Sequence, residues 1–266
     1  MSARVLLTLA AFSSIAVSAP VRSGRATAEW LNSSTAYEPG QSFQTGIRMV
    51  LNEGWHTYWI NPGEAGSQFK VTWTLPDGWK ASDISYPLPK RFLTGELPGY
   101  GYEHEVIFPV TITPPPGASG PADLQAKVSW LTCNEDSCVP GKAELKLTVA
   151  EGTPATTPAT EMIAKSAALV PQPLPGAELT VKEAEGQLQL FLKLPAGTIT
   201  DPAAGEVFPA SAQAVDHYKP FRFEKTEGGW SATASKNEYA EGPLKELTLV
   251  ISNPKGAPLT VVWKAE

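Results

Sequence analysis

Short runs of alternating hydrophobic and polar residues follow one another between residues 25 and 150. In residues 43–51 the odd-numbered positions are mostly apolar, and Asn52-Glu53-Gly54 then forms a turn signal. Similar β-favouring runs occur at residues 55–60, 69–75, 106–113, 124–131 and 143–149. About seven or eight short strands without a convincing helix predict a sandwich of antiparallel sheets.

A stretch of different composition separates this part from the rest of the chain. Residues 153–159 are rich in Pro, Thr and Ala and offer little apolar surface to bury, which is typical of a linker. Thr160 is predicted to cap a short helix over residues 161–169, and Pro171 ends it. The linker with its helix is therefore placed at residues 153–176.

A second β-rich stretch runs to the end of the chain. Glu227-Gly228-Gly229 lies between two β-favouring runs, and Asn253-Pro254-Lys255-Gly256 lies between two more, which predicts two hairpins. A stretch of about 90 residues is a normal size for one sandwich. We expect two β-sandwich domains, the first over residues 20–152 and the second over residues 177–266.

The amino terminus has the pattern of a secretory signal peptide. A short basic segment at residues 1–4 precedes an almost wholly apolar run at residues 5–17, and Val17-Ser18-Ala19 supplies small residues for signal peptidase. The apolar run is too short to span a hydrocarbon core of about 30 Å as a helix. A membrane anchor is the alternative, because Pro20 is unfavourable directly after the cut. We expect residues 1–19 to be removed and the protein to be exported.

Charge and residue spacing exclude several functional classes. The net charge of −6 includes no Lys/Arg cluster, so nucleic acid and anionic membranes are poor candidate partners. The histidines and cysteines show neither His-x-x-x-His nor Cys-x-x-Cys spacing, so no metal site is expected. Gly99-Tyr100-Gly101 lacks the third glycine and the following helix of a phosphate-binding loop. We therefore expect no small-molecule cofactor.

Cys133 and Cys138 are the two cysteines of the chain, and a short polar segment connects them. A connection of this length places its flanking residues opposite each other on antiparallel strands. Opposed Cα atoms lie about 4.5–5.5 Å apart, within the roughly 4.4–6.8 Å that a disulfide accepts. Because Glu135 and Asp136 disfavour a thiolate here, the pair suits attack by a partner's thiolate better than self-activated attack.

The residues alone leave the role of this pair open. A disulfide that closes so short a ring contributes roughly 2 kcal/mol on the loop-entropy model, far less than one closing a long loop. Composition still makes a structural bridge the simpler interpretation, with redox exchange as the second. Copper binding by the thiolates is a third, and the few methionines of the chain give it little support.

Four motifs follow one another over roughly residues 25–149. They are Gly54-Trp55-His56-Thr57-Tyr58-Trp59-Ile60-Asn61-Pro62-Gly63, Tyr86-Pro87-Leu88-Pro89-Lys90-Arg91, Gly99-Tyr100-Gly101-Tyr102-Glu103, and Trp130-Leu131-Thr132-Cys133 with Cys138-Val139-Pro140. In this order they resemble the amino-terminal periplasmic domain of the DsbD and ScsB thiol:disulfide interchange proteins. The ScsB-like branch is the closer match because its members carry a second immunoglobulin-like domain, and Phe208-Pro209 resembles a motif there.

The resemblance implies an all-β protein with two immunoglobulin-like antiparallel β-sandwich domains, joined by the Pro-rich linker with its short helix. It also implies a Cys133–Cys138 disulfide that a membrane-embedded domain reduces, after which the reduced cysteine pair reduces periplasmic partner proteins. An aromatic cap loop covers the cysteines in the family. The residues that match this cap here are Trp59, Leu97, Tyr100 and Tyr102.

The sequence ends at Glu266 without the transmembrane region or the thioredoxin-like domain of the family. We therefore expect a periplasmic module that passes reducing equivalents between a separate DsbD-type membrane reductase and periplasmic thioredoxin-fold proteins. In that case the protein is one component of a protein-disulfide reductase. The alternative is a non-enzymatic β-sandwich interaction module whose disulfide is permanent.

Overall fold

The computed structural model describes residues 19–265. The signal peptide predicted at residues 1–19 lies outside this range except for its last residue. The strands of the amino-terminal part are β1 (Val21–Ser23), β2 (Ala26–Asn32), β3 (Ala36–Tyr37), β4 (Phe43–Leu51), β5 (His56–Gly63), β6 (Lys70–Thr74), β7 (Lys80–Ala81), β8 (Lys90–Thr94), β9 (Leu97–Glu103), β10 (Glu105–Thr113), β11 (Ala122–Cys133) and β12 (Cys138–Glu151).

The carboxyl-terminal part begins with a helix and continues in strands. These elements are α1 (Thr160–Ala168), β13 (Gln172–Pro173), β14 (Glu178–Ala184), β15 (Gln187–Lys193), β16 (Val207–Pro209), β17 (Glu224–Thr226), β18 (Gly229–Ser235), β19 (Glu246–Ile251) and β20 (Leu259–Lys264).

Strands β1 to β12 form two sheets around one core, and we call this unit the first domain. One sheet has the order β1-β2-β4-β10-β7, and the other has the order β3-β12-β11-β5-β9-β8, with β6 paired to β11. Alternate residues of β11 are buried along most of its length, as expected for a strand with one face on the core and the other on solvent. Trp30 and Trp73, from opposite sheets, have ring centroids 5.2 Å apart.

Strands β13 to β20 form the second domain, again as two sheets. Their orders are β13-β20-β19-β16 and β14-β15-β18-β17. Alternate leucines of β15 and β19, such as Leu190 and Leu249, form much of its core. Pairing is antiparallel except for two short parallel pairs, β3 with β12 and β13 with β20. The predicted fold class, with two immunoglobulin-like antiparallel β-sandwich domains, is therefore confirmed.

The hairpins predicted in the second domain are also present. Strands β17 and β18 pair up to Thr226 and Gly229, and β19 and β20 pair up to Ile251 and Leu259. In both cases the segment between the strands is the glycine-containing turn that the sequence indicated.

Helix α1 packs on the first domain, but Thr160 does not cap it as predicted. The residue at the N-cap is Ala159, which makes no side-chain cap hydrogen bond. The Thr160 hydroxyl instead donates to the Ser33 carbonyl at 2.7 Å, which ties the start of the helix to the end of β2. Ile163 is the buried residue of the helix and packs with side chains of the first domain. Within residues 19–265, no helix has the length and hydrophobicity needed to cross a bilayer.

Leu97, Tyr100 and Tyr102, which were expected in a cap loop from the family resemblance, lie in a regular strand instead. Strand β9 pairs with β5 on one side and with β8 on the other, so it lies inside the larger sheet. Strands β8 and β9 make a hairpin with Gly95 and Glu96 at its tip, and we call it the β8–β9 hairpin. This hairpin lies next to the cysteines.

Candidate functional site

The two cysteines lie at the facing ends of β11 and β12. Cys133 ends β11, Cys138 begins β12, and the two residues are direct partners in the register of the strands. Their Cα atoms are 4.1 Å apart and their Sγ atoms form a disulfide. The hairpin predicted from the spacing of the cysteines is therefore confirmed. The Cα separation is slightly less than the roughly 4.5 Å expected for the closest opposed residues.

The segment between the cysteines is a compact turn organised by Asn134. Its Oδ1 accepts hydrogen bonds from the backbone N–H groups of Asp136 and Ser137, at 3.1 and 2.8 Å, and from the Ser137 hydroxyl at 3.2 Å. The Asn134 N–H donates to the Ser137 carbonyl at 3.0 Å. Asparagine stabilises turns through such bonds to the backbone that follows it. The turn therefore has a defined shape beyond the constraint of the disulfide.

The two cysteines differ in their exposure to solvent. Cys133 is 0% exposed, and β11 is flanked at this residue by β12 on one side and by His56 of β5 on the other. Cys138, at the start of β12, is exposed. A thiolate that approaches from solvent therefore meets Cys138 first.

Strand register assigns the neighbours of the disulfide to one face of the larger sheet. Cys133 pairs with His56, and His56 pairs with Glu103 of β9. Paired residues on neighbouring strands share a face, and residues an odd number of positions away point to the other face. Trp130 is such a residue, and it lies in the core between the sheets. The disulfide is therefore on the face of this sheet that points away from the core.

A polar and aromatic cluster covers this outer face beside Cys133. His56 Nε2 lies 2.9 Å from Thr94 Oγ1 and 3.3 Å from the Tyr58 hydroxyl, and the two hydroxyl oxygens are 3.3 Å apart. The Phe92 ring lies over the His56 ring with a centroid separation of 3.9 Å. Thr94 and Phe92 belong to β8, so these contacts hold the β8–β9 hairpin against β5.

Burial keeps the imidazole of this cluster neutral. Removal from water lowers the pKa of His56 to about 4, and the nearby Glu103 carboxylate opposes that shift only in part. Burial also raises the pKa of Tyr58, while its hydrogen bond with Thr94 acts in the opposite direction. At pH 7 the cluster is uncharged and its members interact through hydrogen bonds and ring packing.

The tip of the β8–β9 hairpin reaches the turn between the cysteines. A Cβ atom built on Gly95 would lie 3.8 Å from the carbonyl oxygen of Glu135, which places the two backbones in contact distance. Gly95 has a φ of 60°, a conformation that tight hairpin turns require and that glycine adopts without strain. The hairpin therefore lies beside both the strand and the turn that carry the disulfide.

The residues predicted as a cap lie on two different faces. Trp59 and Tyr100 pack on Phe208 of the second domain, with ring centroids 6.4 and 6.0 Å away, and Tyr102 is buried in the core of the first domain. These three point away from the face that carries the disulfide. Leu97 is on the same face as the disulfide, near the hairpin tip, and is 40% exposed.

Sequence reasoning missed the four residues of the cluster beside Cys133, namely His56, Tyr58, Phe92 and Thr94. A usable signal existed, because these residues form two pairs at a spacing of two, as expected for side chains on one face of a strand. Recognising it requires that residues 90–103 be taken as a hairpin. Within the described residues, no three His, Cys, Asp or Glu side chains come together in a way that would hold a metal ion.

Comparison with solved structures gives a strong match over nearly the whole chain. The chain is similar to the N-terminal periplasmic domain of ScsB from Proteus mirabilis, with 19% sequence identity, a TM-score of 0.66, and coverage of 90% of this chain and 93% of that one. A conserved domain protein from Bacillus anthracis matches at 11% identity over 93% of this chain and 90% of that one, but with a TM-score of 0.30. The first match shows that the fold is shared, and the second is too distant to support an argument. A sequence comparison with curated proteins found no match.

Comparison with protein families identifies the first domain. Residues 27–150 match the family described as the N-terminal part of the thiol:disulfide interchange protein DsbD. The matched range contains the strands of the larger sheet, the β8–β9 hairpin and both cysteines. The first domain therefore belongs to the DsbD N-terminal domain family.

Proposed function

We propose that the Cys133–Cys138 disulfide is redox-active and that the protein passes reducing equivalents between a separate membrane reductase and periplasmic thioredoxin-fold proteins. The observation that carries this proposal is the unequal exposure of the pair, since Cys138 is exposed and Cys133 is buried. Such a bond offers a partner's thiolate one point of attack and a protected leaving group. Membership of the first domain in the DsbD N-terminal domain family supports the same role.

Reduction of the pair proceeds by two successive thiol–disulfide exchanges. A thiolate of the reductase attacks Sγ of Cys138, a bond forms between the two proteins, and Cys133 leaves as a thiolate. The second thiolate of the reductase then attacks its own sulfur in this mixed disulfide and releases Cys138. The reductase leaves as a disulfide, the cysteine pair has gained a pair of electrons, and protons from solvent complete the dithiol.

Transfer to a periplasmic partner follows the same chemistry in the opposite direction. The Cys138 thiolate attacks the partner's disulfide and one partner sulfur leaves as a thiolate. Cys133 then attacks Sγ of Cys138, which reforms the internal disulfide and releases the partner as a dithiol. Cys133 acts only within the protein in this scheme, which is compatible with its burial.

The electrostatic surroundings favour a pair that is attacked over one that attacks unaided. Glu135 and Asp136 are exposed carboxylates in the turn between the cysteines. His56, next to Cys133, is neutral at pH 7 because burial lowers its pKa to about 4. Since none of these groups supplies a positive charge to a thiolate, the first reactive thiolate comes from the partner protein.

The proposal also assigns a compartment and a domain division. Export through the predicted signal peptide would place the protein in the periplasm, where a disulfide persists. Residues 20–152 would carry out the exchange, and residues 177–266 would form a second unit connected by the segment at residues 153–176. The ScsB fragment that shares the fold is itself described as periplasmic.

A measurement of the reduction potential of the pair tests this function. We expect equilibration with a dithiothreitol or glutathione series to give a potential above about −300 mV, because structural disulfides of exported proteins typically lie below that value. A lower potential would favour the alternative, an interaction module with a permanent disulfide.

Trapping of mixed disulfides in periplasmic extracts identifies the attacked sulfur. Cys133→Ala keeps the exposed cysteine and should accumulate mixed disulfides with thioredoxin-fold proteins, whereas Cys138→Ala keeps the buried cysteine and should accumulate far fewer. The double variant is the control for non-specific capture. If neither single variant captures more than the double variant, the exchange function is wrong.

A further inference from the structure

The two faces of the β8–β9 hairpin contact two different parts of the molecule. Phe92 and Thr94 face the cluster next to the disulfide, as described above. Arg91 and its cross-strand partner Tyr100 point to the opposite face, where they meet the second domain. One pair of strands therefore connects the disulfide site with the second domain.

Arg91 makes the most specific of these contacts with the second domain. Its guanidinium lies 5.1 Å from the ring centroid of Phe208 and 5.0 Å from that of Tyr100. Its Nη2 donates a hydrogen bond to the carbonyl of Val207, and its Nη1 donates to the Tyr100 hydroxyl at 3.2 Å. A planar cation that contacts two rings and is bonded to a backbone carbonyl has a fixed position, so β8 is bound directly to β16.

Phe208 is fully buried and belongs to the core of the first domain, although it lies on a strand of the second. A buried polar network surrounds this anchor. Asn61 Nδ2 donates to the carbonyl of Pro209 at 2.8 Å, and the His217 side chain lies 2.9 Å from a carboxylate oxygen of Glu64. These contacts join β5 and the segment after it to the second domain, so the junction is packed and specific.

The hairpin needs support of this kind because β8 is an edge strand. Among the described strands, β9 is the one that pairs with β8. Edge hairpins open at a lower free energy than central strands, because few backbone hydrogen bonds hold them. Opening would separate Phe92 and Thr94 from His56 and would move the tip away from the cysteine turn.

We infer that the second domain holds the β8–β9 hairpin closed beside the buried Cys133 and so limits how readily Cys133 is released as a thiolate when a thiol attacks the exposed Cys138. Arg91 and Phe208 are the positioning residues, and they act on the disulfide through the hairpin. The inference rests on the proposed function only for its biological purpose, which is that the closed hairpin limits exchange with unsuitable thiols. It gives the second domain a role in the chemistry of the first.

The test compares the rate at which dithiothreitol reduces the disulfide in full-length variants. Arg91→Ala should increase the rate about tenfold, since it removes a cation–π contact and a charged hydrogen bond that oppose opening. Arg91→Lys keeps the charge but not the planar group and should give an intermediate rate. Arg222→Ala, which removes an exposed arginine of the second domain, is the matched control and should react as the wild type does.

Hydrogen exchange provides a second readout that a general loss of stability would not reproduce. In Arg91→Ala, exchange at the amides of Thr94 and Leu97, which pair across the hairpin next to its tip, should accelerate, while that of the β19 amides in the second domain should not. Phe208→Leu, a milder change than alanine at this buried position, should show the same pattern.

Two results would overturn the inference. One is an Arg91→Ala protein with the wild-type reduction rate and hairpin exchange, and the other is an equal acceleration in Arg222→Ala. A potential below about −300 mV would instead refute the proposed function and leave this comparison of rates valid, because excess dithiothreitol reduces even a stable disulfide.

Discussion

The two faces of the larger sheet in the first domain carry aromatic residues from the same strands but with different consequences. On the core face, Trp59, Tyr100 and Tyr102 are buried and pack within the first domain and against Phe208. On the outer face, Tyr58 lies with His56, Phe92 and Thr94 beside the disulfide. Trp59 and Tyr58 are chain neighbours, so a single step along β5 separates the two environments.

This difference shows that an aromatic residue in one of the family motifs does not necessarily lie beside the cysteines. Side-chain alternation in β5 and β9 sends one set of aromatic residues to the core, where they stabilise the domain and its junction with the second domain. The other set reaches the disulfide. We expect substitutions on the core face to lower stability most, and substitutions on the outer face to change access to the disulfide.

The largest effect is expected for Trp59→Ala on the core face. Trp59 is 1% exposed, and truncation of a fully buried aromatic side chain costs about 3–5 kcal/mol through lost burial and cavity formation. Urea denaturation monitored by circular dichroism should show this as a lower transition midpoint. If the alanine variant does not fold, Trp59→Phe can be measured instead, and its loss of stability should be smaller.

Ile60→Ala is the matched control for this experiment. Ile60 is the next residue of β5 and is 44% exposed, so its truncation should change stability by less than about 0.5 kcal/mol. Equal losses in Trp59→Ala and Ile60→Ala would contradict the assignment of the two faces at this point of β5.

An intermediate effect is expected from the titration of His56 on the outer face. Burial lowers its pKa from 6.5 to about 4, so the unfolded chain binds a proton at a higher pH than the folded protein does. The stabilising contribution of the neutral His56 is therefore fully present above pH 6.5. It decreases as the pH falls towards 4, where His56 becomes protonated in the folded protein as well as in the unfolded chain. The decrease over this window should be about 3 kcal/mol, measured as urea midpoints at successive pH values.

His56→Gln isolates this contribution, because glutamine can donate and accept hydrogen bonds but does not titrate here. The difference in unfolding free energy between the wild type and this variant should change between pH 6.5 and 4 and be constant from pH 7 to 8. A difference that does not vary with pH would mean that folding leaves the pKa of His56 unchanged, as expected for an exposed imidazole.

Much of the fold follows from sequence, since alternation and turn residues predict most strands of both domains. The spacing of the cysteines also predicts the register of their hairpin. Strand β9 was missed because Pro98, Gly99 and Gly101 are typical of loops. In the structure Gly101 lies within the sheet, where a Cβ atom would approach the carbonyl oxygen of Thr57 to 1.9 Å. Glycine at this position permits the close approach of β9 to β5, and the need for that approach is visible only in the tertiary structure.

The surroundings of the disulfide were less predictable for a related reason. Assigning side chains to its face requires the register of β5 against both β11 and β9, and these strands are far apart in sequence. The β5–β9 pairing also has an irregularity between Tyr58 and Gly63, so counting residues alone fails beyond Tyr58. The contacts between the hairpin and Phe208 depend on a second domain more than a hundred residues away, as the 116-residue separation of Arg91 and Val207 shows.

The smallest effect on stability is expected for Thr94→Val, which separates access to the disulfide from the stability of the domain. The substitution keeps the shape of the side chain and removes the hydroxyl that lies 2.9 Å from His56 Nε2 and 3.3 Å from the Tyr58 hydroxyl. Loss of these bonds at the edge of the sheet should reduce global stability by about 1 kcal/mol. Because the hairpin then opens more often, reduction by dithiothreitol should accelerate by roughly fivefold.

Thr72→Val, at an exposed position of β6, is the control and should leave the rate unchanged. A reduction rate that is the same in both variants would mean that the outer-face cluster does not govern the reduction of the disulfide.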